Sequence, residues 1–493
     1  RLLLGPDERT PLRRALTHTP REIREGLFSA LSRRESVSPH SLARATVAVV
    51  VVGLALASVG ATLAYDSGAQ PDLGNGRVTA SAESQTVVGV QGFHLDGTGD
   101  PKKPPRLVGI EQNAETAWVY SGSNRASWYY DVDPLPDGDL LVTSISRRET
   151  IVLRMDRATR EVEWREQIAI RDTHDVDLLS NGNLVVANMR NYDEAAGVSN
   201  DRIFVYDRET DTITWEWRFR DSYPNDTDDS FGEDWTHVND VDPVDNGSAF
   251  LVSPRNFDQV IKVDRETGDI VWRLGEDGAH ETLHEQHNPD LLRGPGGEPT
   301  VLVADSENDR VVEYARRDGE WERTWTLRGN LNWPRDADRL PNGNTLVTDT
   351  LNQRVIEVTP TGEVVWEYYA TWGPYDAERV ATGDGSNGPT MAAQNVTGSY
   401  EVTGGQSEAA ARIGPGEWLT VMFLATPLDT AAEALANRWA HVVPWARPVW
   451  MAPWSAAYLA LGLLVGLAWA GAEAVLARQQ IAARAGRVTA RLR

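Results

Sequence analysis

The sequence predicts an all-β fold, a six-bladed β-propeller, flanked by two transmembrane α-helices. Three observations support this prediction. A strand-rich unit recurs along the chain, each copy ends on a strand that carries Trp, and a long uncharged segment lies towards each end of the chain. Strand-only units of about 40 to 50 residues, repeated about six times, are typical of β-propellers.

The clearest copy of the unit runs from Asp234 to Gly275. Its apolar runs AFLVS, QVIKV and DIVWRL are separated by Asn-Gly at 246–247 and Thr-Gly at 267–268, which suit tight hairpins. An Asp recurs in five copies at spacings of 44, 65, 48 and 48 residues: Asp133, Asp177, Asp242, Asp290 and Asp338. The copies end on Trp164, Trp215, Trp272, Trp325 and Trp366, and a half-copy ending on Trp118 supplies a sixth.

Two segments are predicted to cross a membrane. Residues 45–65 and 451–472 contain no charged residue and have 21 and 22 residues, which is enough to span the hydrocarbon core as helices. We place the second helix at 451–475. The first segment could instead be the apolar part of a signal peptide, but 44 residues precede it and its length favours an anchor.

Charge predicts the orientation of these helices. Residues 1–44 carry nine Arg and five acidic residues, and residues 477–493 carry five Arg and no acidic residue. Positively charged flanks remain on the cytoplasmic side. The sequence therefore predicts a cell-membrane protein with a cytoplasmic segment at 1–44, a basic cytoplasmic tail at 476–493 and an extracellular propeller.

The remaining boundaries follow from composition. A polar linker is expected at 66–84 and the propeller at 85–375. Residues 376–427 are expected to close the ring or to form an accessory segment, with candidate strands at SYEVT and EWLTVMFLAT, because an open ring would leave strand edges unpaired. Residues 428–450 are expected to form an amphipathic segment that lies on the membrane surface.

Composition also limits the partners and the chemistry. The chain has 72 acidic and 48 basic residues, and only three of the basic residues are Lys, which suggests a halophilic source. Such a negative field repels nucleic acid, so a nucleic-acid partner is not expected. The absence of Cys excludes disulfides, thiolate metal sites and Cys nucleophiles.

Candidate site residues occur where the repeat is broken. In a propeller, the loop that leads into the innermost strand (the leading loop) and the loop between the second and third strands lie at the same end of the central channel. His174, His237 and His287 lie in the leading loops of three successive blades. Arg255 lies in a second-to-third loop, where the aligned copies have Ser306 and Thr350.

Several interpretations of this cluster remain open. Each His could be a polar residue that caps a turn. Three imidazoles could bind zinc, although an adjacent Arg would repel the ion and no carboxylate ligand has a clear spacing. Arg with several His suits an oxyanion such as sulfate or phosphate, and one His could act as a covalent nucleophile.

The chain resembles the arylsulfotransferases, a family of aryl-sulfate sulfotransferases that need no nucleotide donor. The resemblance covers about 85–370 and rests on THDVD around His174, WTHVND around His237, LVSPR ending at Arg255 and EQHNPDLL around His287. It also includes VIKVDRETGDIVWRLG. This chain departs from the soluble periplasmic members in having two apolar segments, no Cys and no separate amino-terminal β-domain. It is expected to be a membrane-anchored haloarchaeal relative.

The resemblance implies sulfuryl transfer from an aryl sulfate ester to a phenol or another hydroxyl acceptor. His287 would be the nucleophile that forms a sulfohistidine, His237 and Arg255 would hold the sulfuryl oxygens, and His174 would help to bind the group and move the phenol's proton. No cofactor and no metal are expected. Small-molecule donors and phenol or glycan acceptors are the expected partners, and the sequence leaves the oligomeric state open.

Two other functions remain possible from the sequence. A non-catalytic extracellular propeller could bind an anionic glycan or a protein partner. A quinoprotein-like oxidoreductase is a further alternative, because those propellers also end their blades on Trp. His94 of blade one could join the site or could be an ordinary residue at a strand end.

Overall fold

The computed structural model describes residues 38–63, 73–92, 105–122, 128–146, 149–405, 414–447 and 451–491. Most of the predicted amino-terminal segment and His94 lie outside these residues. The chain divides into two compact units. One comprises Arg1–Ala64 with Trp454–Arg493, and the other comprises Tyr65–Pro453.

The larger unit is a six-bladed β-propeller, as the repeats predict. The chain first forms β1 (Leu73–Val78), and blade one then contains β2 (Thr86–Val90), β3 (Arg106–Ile110) and β4 (Thr116–Tyr120). Blade two contains β5 (Trp128–Pro134), β6 (Leu140–Ser146), β7 (Glu149–Met155) and β8 (Val162–Ile168). Blade three contains β9 (Val176–Leu178), β10 (Leu184–Asn188), the inserted hairpin β11 (Tyr192–Asp193) and β12 (Val198–Ser199), β13 (Arg202–Asp207) and β14 (Thr212–Arg218).

The second half of the propeller follows the same plan. Blade four contains β15 (Val238–Val244), β16 (Ala249–Pro254), β17 (Gln259–Asp264) and β18 (Ile270–Gly275). Blade five contains β19 (His287–Arg293), β20 (Pro299–Asp305), β21 (Arg310–Arg317) and β22 (Glu320–Arg328). Blade six contains β23 (Pro334–Arg339), β24 (Thr345–Asp349), β25 (Arg354–Val358) and β26 (Val364–Ala370), and β27 (Pro374–Arg379) and β28 (Gly398–Glu401) follow.

The ring is closed by β27, the strand directly after blade six. It pairs antiparallel with β2, with Ala377 opposite Val88, and becomes the innermost strand of blade one. The expectation that SYEVT or EWLTVMFLAT completes this blade is therefore wrong. SYEVT contributes to β28, which pairs in parallel with β22 at the outer edge of blade five. EWLTVMFLAT lies mainly in α2 (Pro415–Phe423), which begins on a Pro at a position where helices favour it.

The expected linker at 66–84 also contains a strand of the propeller. β1 pairs antiparallel with β26 as a fifth strand on blade six. Leu73 and Val78 pack against the core cluster that includes Trp366. A short strand with few apolar residues is recognisable only when its partner strand is known, which explains why the sequence indicated a linker.

The Trp residues that end the blades connect each blade to the next. The indole N–H of Trp215 donates to the carbonyl of Arg265 at 3.0 Å, and that of Trp325 donates to the carbonyl of Pro360 at 2.9 Å. Trp325 and Trp366 are fully buried. Burial of a large aromatic ring together with a satisfied N–H stabilises the contact between blades. The Trp that recurs at the end of each repeat therefore packs one blade against the next.

The smaller unit contains two long helices, α1 (Pro39–Leu63) and α4 (Pro453–Arg491), while α2 and α3 (Asp429–Ala446) belong to the propeller unit. Both α1 and α4 are long and apolar enough to cross a membrane. Arg44 donates to both carboxylate oxygens of Glu473 at 2.7 and 2.6 Å. At the other end, the Ser58 hydroxyl donates to the backbone carbonyl of Ser455 at 3.0 Å. The two helices therefore pack antiparallel, with the amino-terminal end of α1 beside the later part of α4.

Candidate functional site

A β-bulge near the start of the innermost strand positions the candidate residues. The pairing register between the first two strands shifts at equivalent places in four blades: between Tyr129 and Val132, Val238 and Val241, His287 and Asp290, and Pro334 and Asp336. A bulge adds unpaired residues and re-aims side chains. Each blade can thus present one side chain at the end of the channel and carboxylates on the channel wall.

The leading loops share a strained backbone conformation. His237, Glu285 and Trp333 occupy equivalent positions in three successive blades and have φ of 41°, 47° and 54°. Such values are uncommon for residues other than Gly. Carboxylates of the preceding blade hold two of these loops, because Asp258 accepts from the Glu285 amide at 2.9 Å and Asp309 accepts from the Trp333 amide at 2.8 Å.

The structure brings the three predicted histidines together, and Tyr375 contacts two of them, His174 and His287. The rings of His174 and His237 have centroids 5.1 Å apart, and Tyr130 lies against His174 at 3.9 Å. His174 Nδ1 and the Tyr375 hydroxyl form a hydrogen bond of 3.0 Å. The His287 ring lies 6.0 Å from the Tyr375 ring. All five side chains are buried.

The hydrogen bonds of His287 determine its tautomer. Its Nδ1 lies 2.8 Å from Ser306 Oγ and 3.1 Å from the carbonyl oxygen of Glu285. The Ser306 hydroxyl donates its own proton to the carbonyl of Pro334 at 2.7 Å. Both groups facing Nδ1 therefore accept, so Nδ1 must carry the proton and Nε2 must carry the lone pair.

His287 Nε2 is available for chemistry. It is buried and has no hydrogen-bond partner among the described residues. Burial, and then the positive charges of Arg335 and Arg255, lower the pKa of His287 well below its usual value. The ring is therefore neutral near pH 7, which is the form that can act as a nucleophile.

His237 is oriented by an ion-paired carboxylate. Its Nδ1 lies 2.8 Å from Asp234 Oδ2, and Arg190 Nε donates to Asp234 Oδ1 at 2.9 Å. Burial, followed by the charge of Arg255, lowers the pKa of His237 to about 3. Burial raises the pKa of Asp234, but the hydrogen bond from His237 and the charge of Arg190 outweigh it and keep this carboxyl ionised.

Two guanidinium groups lie near the histidines. Arg335 is buried, its Nη1 donates to Gln91 Oε1 at 2.6 Å, and its Cζ lies 4.3 Å from the centre of the Trp333 ring. Burial lowers the pKa of Arg335 to about 10, so it stays positively charged near pH 7. Arg255 is 15% exposed and forms an ion pair of 3.4 Å with Glu285. Arg335 therefore provides a fixed cation inside the site, and Arg255 provides one at its rim.

Unsatisfied donors indicate the kind of ligand that this site suits. Among the described residues, Arg335 Nε and the indole nitrogens of Trp333 and Trp128 are buried without a hydrogen-bond partner. Asn239 Oδ1 is an unpaired acceptor in the same region. Unmet buried donors cost about 1 to 3 kcal/mol each. Two cations and three free donors thus favour an anionic ligand rich in oxygen.

Helix α3 covers this end of the propeller. The His441 ring stacks on Trp333 at 6.4 Å, and Trp445 meets Trp333 edge-on at 6.0 Å. His441 forms ion pairs with Glu307 at 3.2 Å and with Asp309 at 3.1 Å. Hydrogen bonds and charge from these carboxylates outweigh burial and raise the pKa of His441 to about 10. The segment at 428–450, which was predicted to be amphipathic and to lie on the membrane surface, thus contains a helix that contacts Trp333 of the site.

Some residues of the site were not selected from the sequence. Tyr375 was missed because the sixth copy of the repeat, Tyr-Asp-Ala-Glu at 375–378, was not recognised beside Tyr-Asp-Val-Asp at 130–133. Arg335 occupies the same position before the repeated Asp as His174 and His287, so the alignment could have identified it. Ser306 and Asp234 carry no sequence signal, because their importance depends on hydrogen bonds to His287 and His237.

Two family models match parts of this chain. The arylsulfotransferase (ASST) family model matches residues 91–293, which include His174, His237, Arg255 and His287. The model described as outer membrane protein assembly factor BamB matches residues 199–420. No curated protein matches the chain.

Several solved structures are similar at low identity. A protein of unknown function from Bacteroides caccae is 14% identical, with a TM-score of 0.39, and the match covers 58% of this chain and 93% of that one. Virginiamycin B lyase from Staphylococcus aureus is 10% identical, with a TM-score of 0.35 and coverages of 58% and 88%. Hydrazine synthase from Kuenenia stuttgartiensis is 13% identical, with a TM-score of 0.34 and coverages of 55% and 77%.

Proposed function

We propose that this protein transfers a sulfuryl group from an aryl sulfate ester to a phenol or another hydroxyl acceptor through a sulfohistidine at His287. The observation that carries the proposal is the buried Nε2 of His287, which holds a free lone pair beside Arg335 and within reach of the charge of Arg255. The match of the arylsulfotransferase model over this region supports the reaction class.

In the first step, His287 Nε2 attacks the sulfur of the donor. The new N–S bond forms as the bond between sulfur and the aryl oxygen breaks, and the phenolate leaves with that electron pair. Arg255 would bind the sulfuryl oxygens, and the bound anion would favour a proton on His237 Nε2, so that Nε2–H also donates to a sulfuryl oxygen while Asp234 accepts from Nδ1–H. Arg335 would add a second fixed cation where negative charge develops.

In the second step, the acceptor hydroxyl attacks the same sulfur and the N–S bond breaks. The acceptor loses its proton and the first phenolate gains one. His174 and the Tyr375 hydroxyl form a hydrogen-bonded pair beside His287 and would carry these protons. The proposed reaction uses neither a cofactor nor a metal ion.

We place this reaction on the outer face of a membrane in the same proposal. Two helices are long enough to span, and they pack antiparallel. The net positive charge of residues 1–44 and 477–493 favours a cytoplasmic position for both ends of the sequence. The propeller, which lies between the helices in the chain, would then face outwards.

The first experiment measures release of a chromogenic phenol from its sulfate ester by the full chain in detergent, with and without an acceptor phenol, over a range of salt concentrations. We expect release that depends on the acceptor and falls at least about 1,000-fold in His287→Ala. His280→Ala is the matched control, because His280 lies in a loop before the same blade and is 55% exposed.

Persistent turnover in His287→Ala would overturn the assignment of the nucleophile. Trapping with donor alone gives an independent check, since a peptide containing His287 should gain the mass of one SO₃ group. A non-catalytic anion-binding propeller remains a second candidate, because the unpaired buried donors suit a bound anion whether or not it reacts. That function predicts sulfate-ester binding that requires Arg335, without turnover at any salt concentration.

A further inference from the structure

The Asp that defines the sequence repeat forms a ring inside the channel. The carboxylates of this ring come from all six innermost strands: Asp133, Asp177, Asp242, Asp290, Asp338 and Glu378. A second layer lies two residues earlier in each strand or its leading loop: Asp131, Asp175, Asp240, Asn288, Asp336 and Asp376. All of these side chains except Asp133 and Asp177 line a cavity of about 30 Å³, which Asp384 also lines and which is large enough for a water molecule or a small ion.

The geometry of the second layer is fixed by the backbone of neighbouring blades. Asp376 accepts from the amide of Val132 at 2.9 Å, and Asp336 accepts from the amide of Ala377 at 3.2 Å. Asp175 accepts from the amide of Val241 at 2.5 Å. Each of these amides belongs to the next blade around the ring, so the carboxylates cannot turn away from the channel without losing contacts between blades.

Several carboxylate oxygens in the ring have no partner. Among the described residues, one oxygen each of Asp131, Asp133, Asp177, Asp240, Asp338 and Glu378 is buried without a hydrogen bond. These six side chains are between 2% and 9% exposed. Because buried polar groups are normally satisfied, this many unpartnered oxygens on the innermost strands and their leading loops require an explanation.

The nearby cations are already engaged. Arg339 forms an ion pair with Glu313 at 3.2 Å, and Arg379 forms one with Glu357 at 2.6 Å. Burial, followed by the charge of Asp290, raises the pKa of Asp336 in the second layer to about 8. Without a further positive charge, some carboxyl groups of the ring must stay protonated, or the carboxylates must repel one another.

A loop after the ring-closing strand adds one more carboxylate. The amide and the hydroxyl of Ser386 donate to the two oxygens of Asp290, which anchors this loop to the ring. Its Asp384 reaches Asp133 and Asp177, and one oxygen from each of these three residues lies within 4.8 Å of the others. Oxygens around one Ca²⁺ at about 2.3 to 2.6 Å can be at most about 5 Å apart, so the three fit a shared ion.

We propose that the channel binds a hard divalent cation, best matched by Ca²⁺, through Asp133, Asp177 and Asp384. The ligands are all carboxylate oxygens, which suits Ca²⁺, and the irregular loop geometry suits this ion better than the octahedral demand of Mg²⁺. The ion would join blade two, blade three and the segment that follows the ring-closing strand. Its role is structural and independent of the sulfuryl-transfer site.

The test uses the full chain in detergent, treated with a chelator that is then removed. We expect calorimetry at pH 7 to show saturable Ca²⁺ binding, weaker Mg²⁺ binding and a higher melting temperature with Ca²⁺. Asp133→Asn/Asp177→Asn should weaken binding by more than about 100-fold, since even partners outside the ligand set change metal affinity by about 10- to 100-fold.

Asp226→Asn/Asp269→Asn is the matched control. It also removes two negative charges, from exposed positions away from the ring, and should bind Ca²⁺ as the unchanged protein does. Equal loss of binding in the control would overturn the site, because it would indicate general attraction to the acidic surface. Absence of any Ca²⁺ or Mg²⁺ binding to the unchanged protein at millimolar concentration would also overturn it.

Asp384→Asn keeps the proposal testable if the double ring variant does not fold. Asp384 is exposed and lies in a loop, so its substitution spares the strands. We expect at least about tenfold weaker Ca²⁺ binding, with the melting temperature in chelator unchanged or raised because repulsion is relieved. Unaltered affinity in a folded Asp384→Asn protein would contradict the assignment of this ligand.

Discussion

At the scale of single residues, two hydrogen bonds decide which nitrogen of His287 can react. The carbonyl of Glu285 can only accept, and the Ser306 hydroxyl accepts because its proton goes to the carbonyl of Pro334. Together they keep the proton on Nδ1. The position of the lone pair on Nε2 is therefore a consequence of neighbouring groups rather than a property of His itself.

Substitution of Ser306 tests this arrangement. Ser306→Ala removes one of the two acceptors that face Nδ1, so we expect kcat to fall about 10- to 100-fold with little change in KM. Ser306→Thr retains the hydroxyl and should restore most of the activity. Transient kinetics with a chromogenic donor, together with melting temperatures, separates a loss of chemistry from a loss of folding. An unchanged kcat in Ser306→Ala would show that the hydroxyl does not position His287.

At the scale of elements, α3 lies over the candidate site. His287 is fully buried, and Trp333 beside it is covered by His441 and Trp445 of α3. We therefore expect a donor of the proposed reaction to reach Nε2 only after α3 or its side chains move. The ion pairs of His441 with Glu307 and Asp309 are the contacts most easily changed without touching the site.

His441→Asn should loosen α3. The substitution removes the protonated imidazole that pairs with Glu307 and Asp309. We therefore expect faster amide hydrogen exchange over 429–446. We also expect kcat/KM to increase relative to the unchanged protein, and to increase more for bulky donors than for small ones. Arg438→Gln is the matched control, because Arg438 is an exposed residue of the same helix. Exchange rates equal to those of the control would refute a role for His441 in holding α3.

At the scale of the whole molecule, titration of the channel carboxyls should dominate the pH dependence of stability. The pKa of Asp175 is raised to about 6 and that of Asp336 to about 8, mainly by burial. The native state therefore binds more protons than the unfolded state between about pH 4 and 8. Linkage then requires the free energy of unfolding to fall as pH rises through this range.

We expect the melting temperature of the chelated protein to decrease from about pH 7.5 to about pH 9. Burial lowers the pKa of His174, His237 and His287, so these residues oppose the change only below about pH 7.5, because an unfolded His titrates near 6.5. His441 acts in the same direction, because its pKa is raised to about 10 and its stabilising charge is lost with increasing pH. The same measurement on His441→Asn isolates the carboxyls. A melting temperature that stays constant or rises would contradict the prediction.

The sequence by itself determined the repeat, the number of blades and the set of candidate residues that meet at one end of the channel. These follow from local patterns: strand periodicity, turn pairs, the recurring Asp and Trp, and two apolar segments that are long enough to span a membrane. His174, His237, His287 and Arg255 were found because they break a pattern at equivalent positions. Any chain that closes these repeats into a ring must bring such positions to one end.

Only the tertiary structure decided which strand closes the ring, which groups orient the histidines and where the recurring Asp side chains lie. β27 becomes part of blade one through pairing with β2, almost 300 residues earlier in the chain. Ser306, Asp234 and Tyr375 matter through contacts between blades, and the carboxylates form a ring only when all six innermost strands are assembled. Local periodicity reports which face of a strand is buried, but it carries no information about which distant groups share the space on that face.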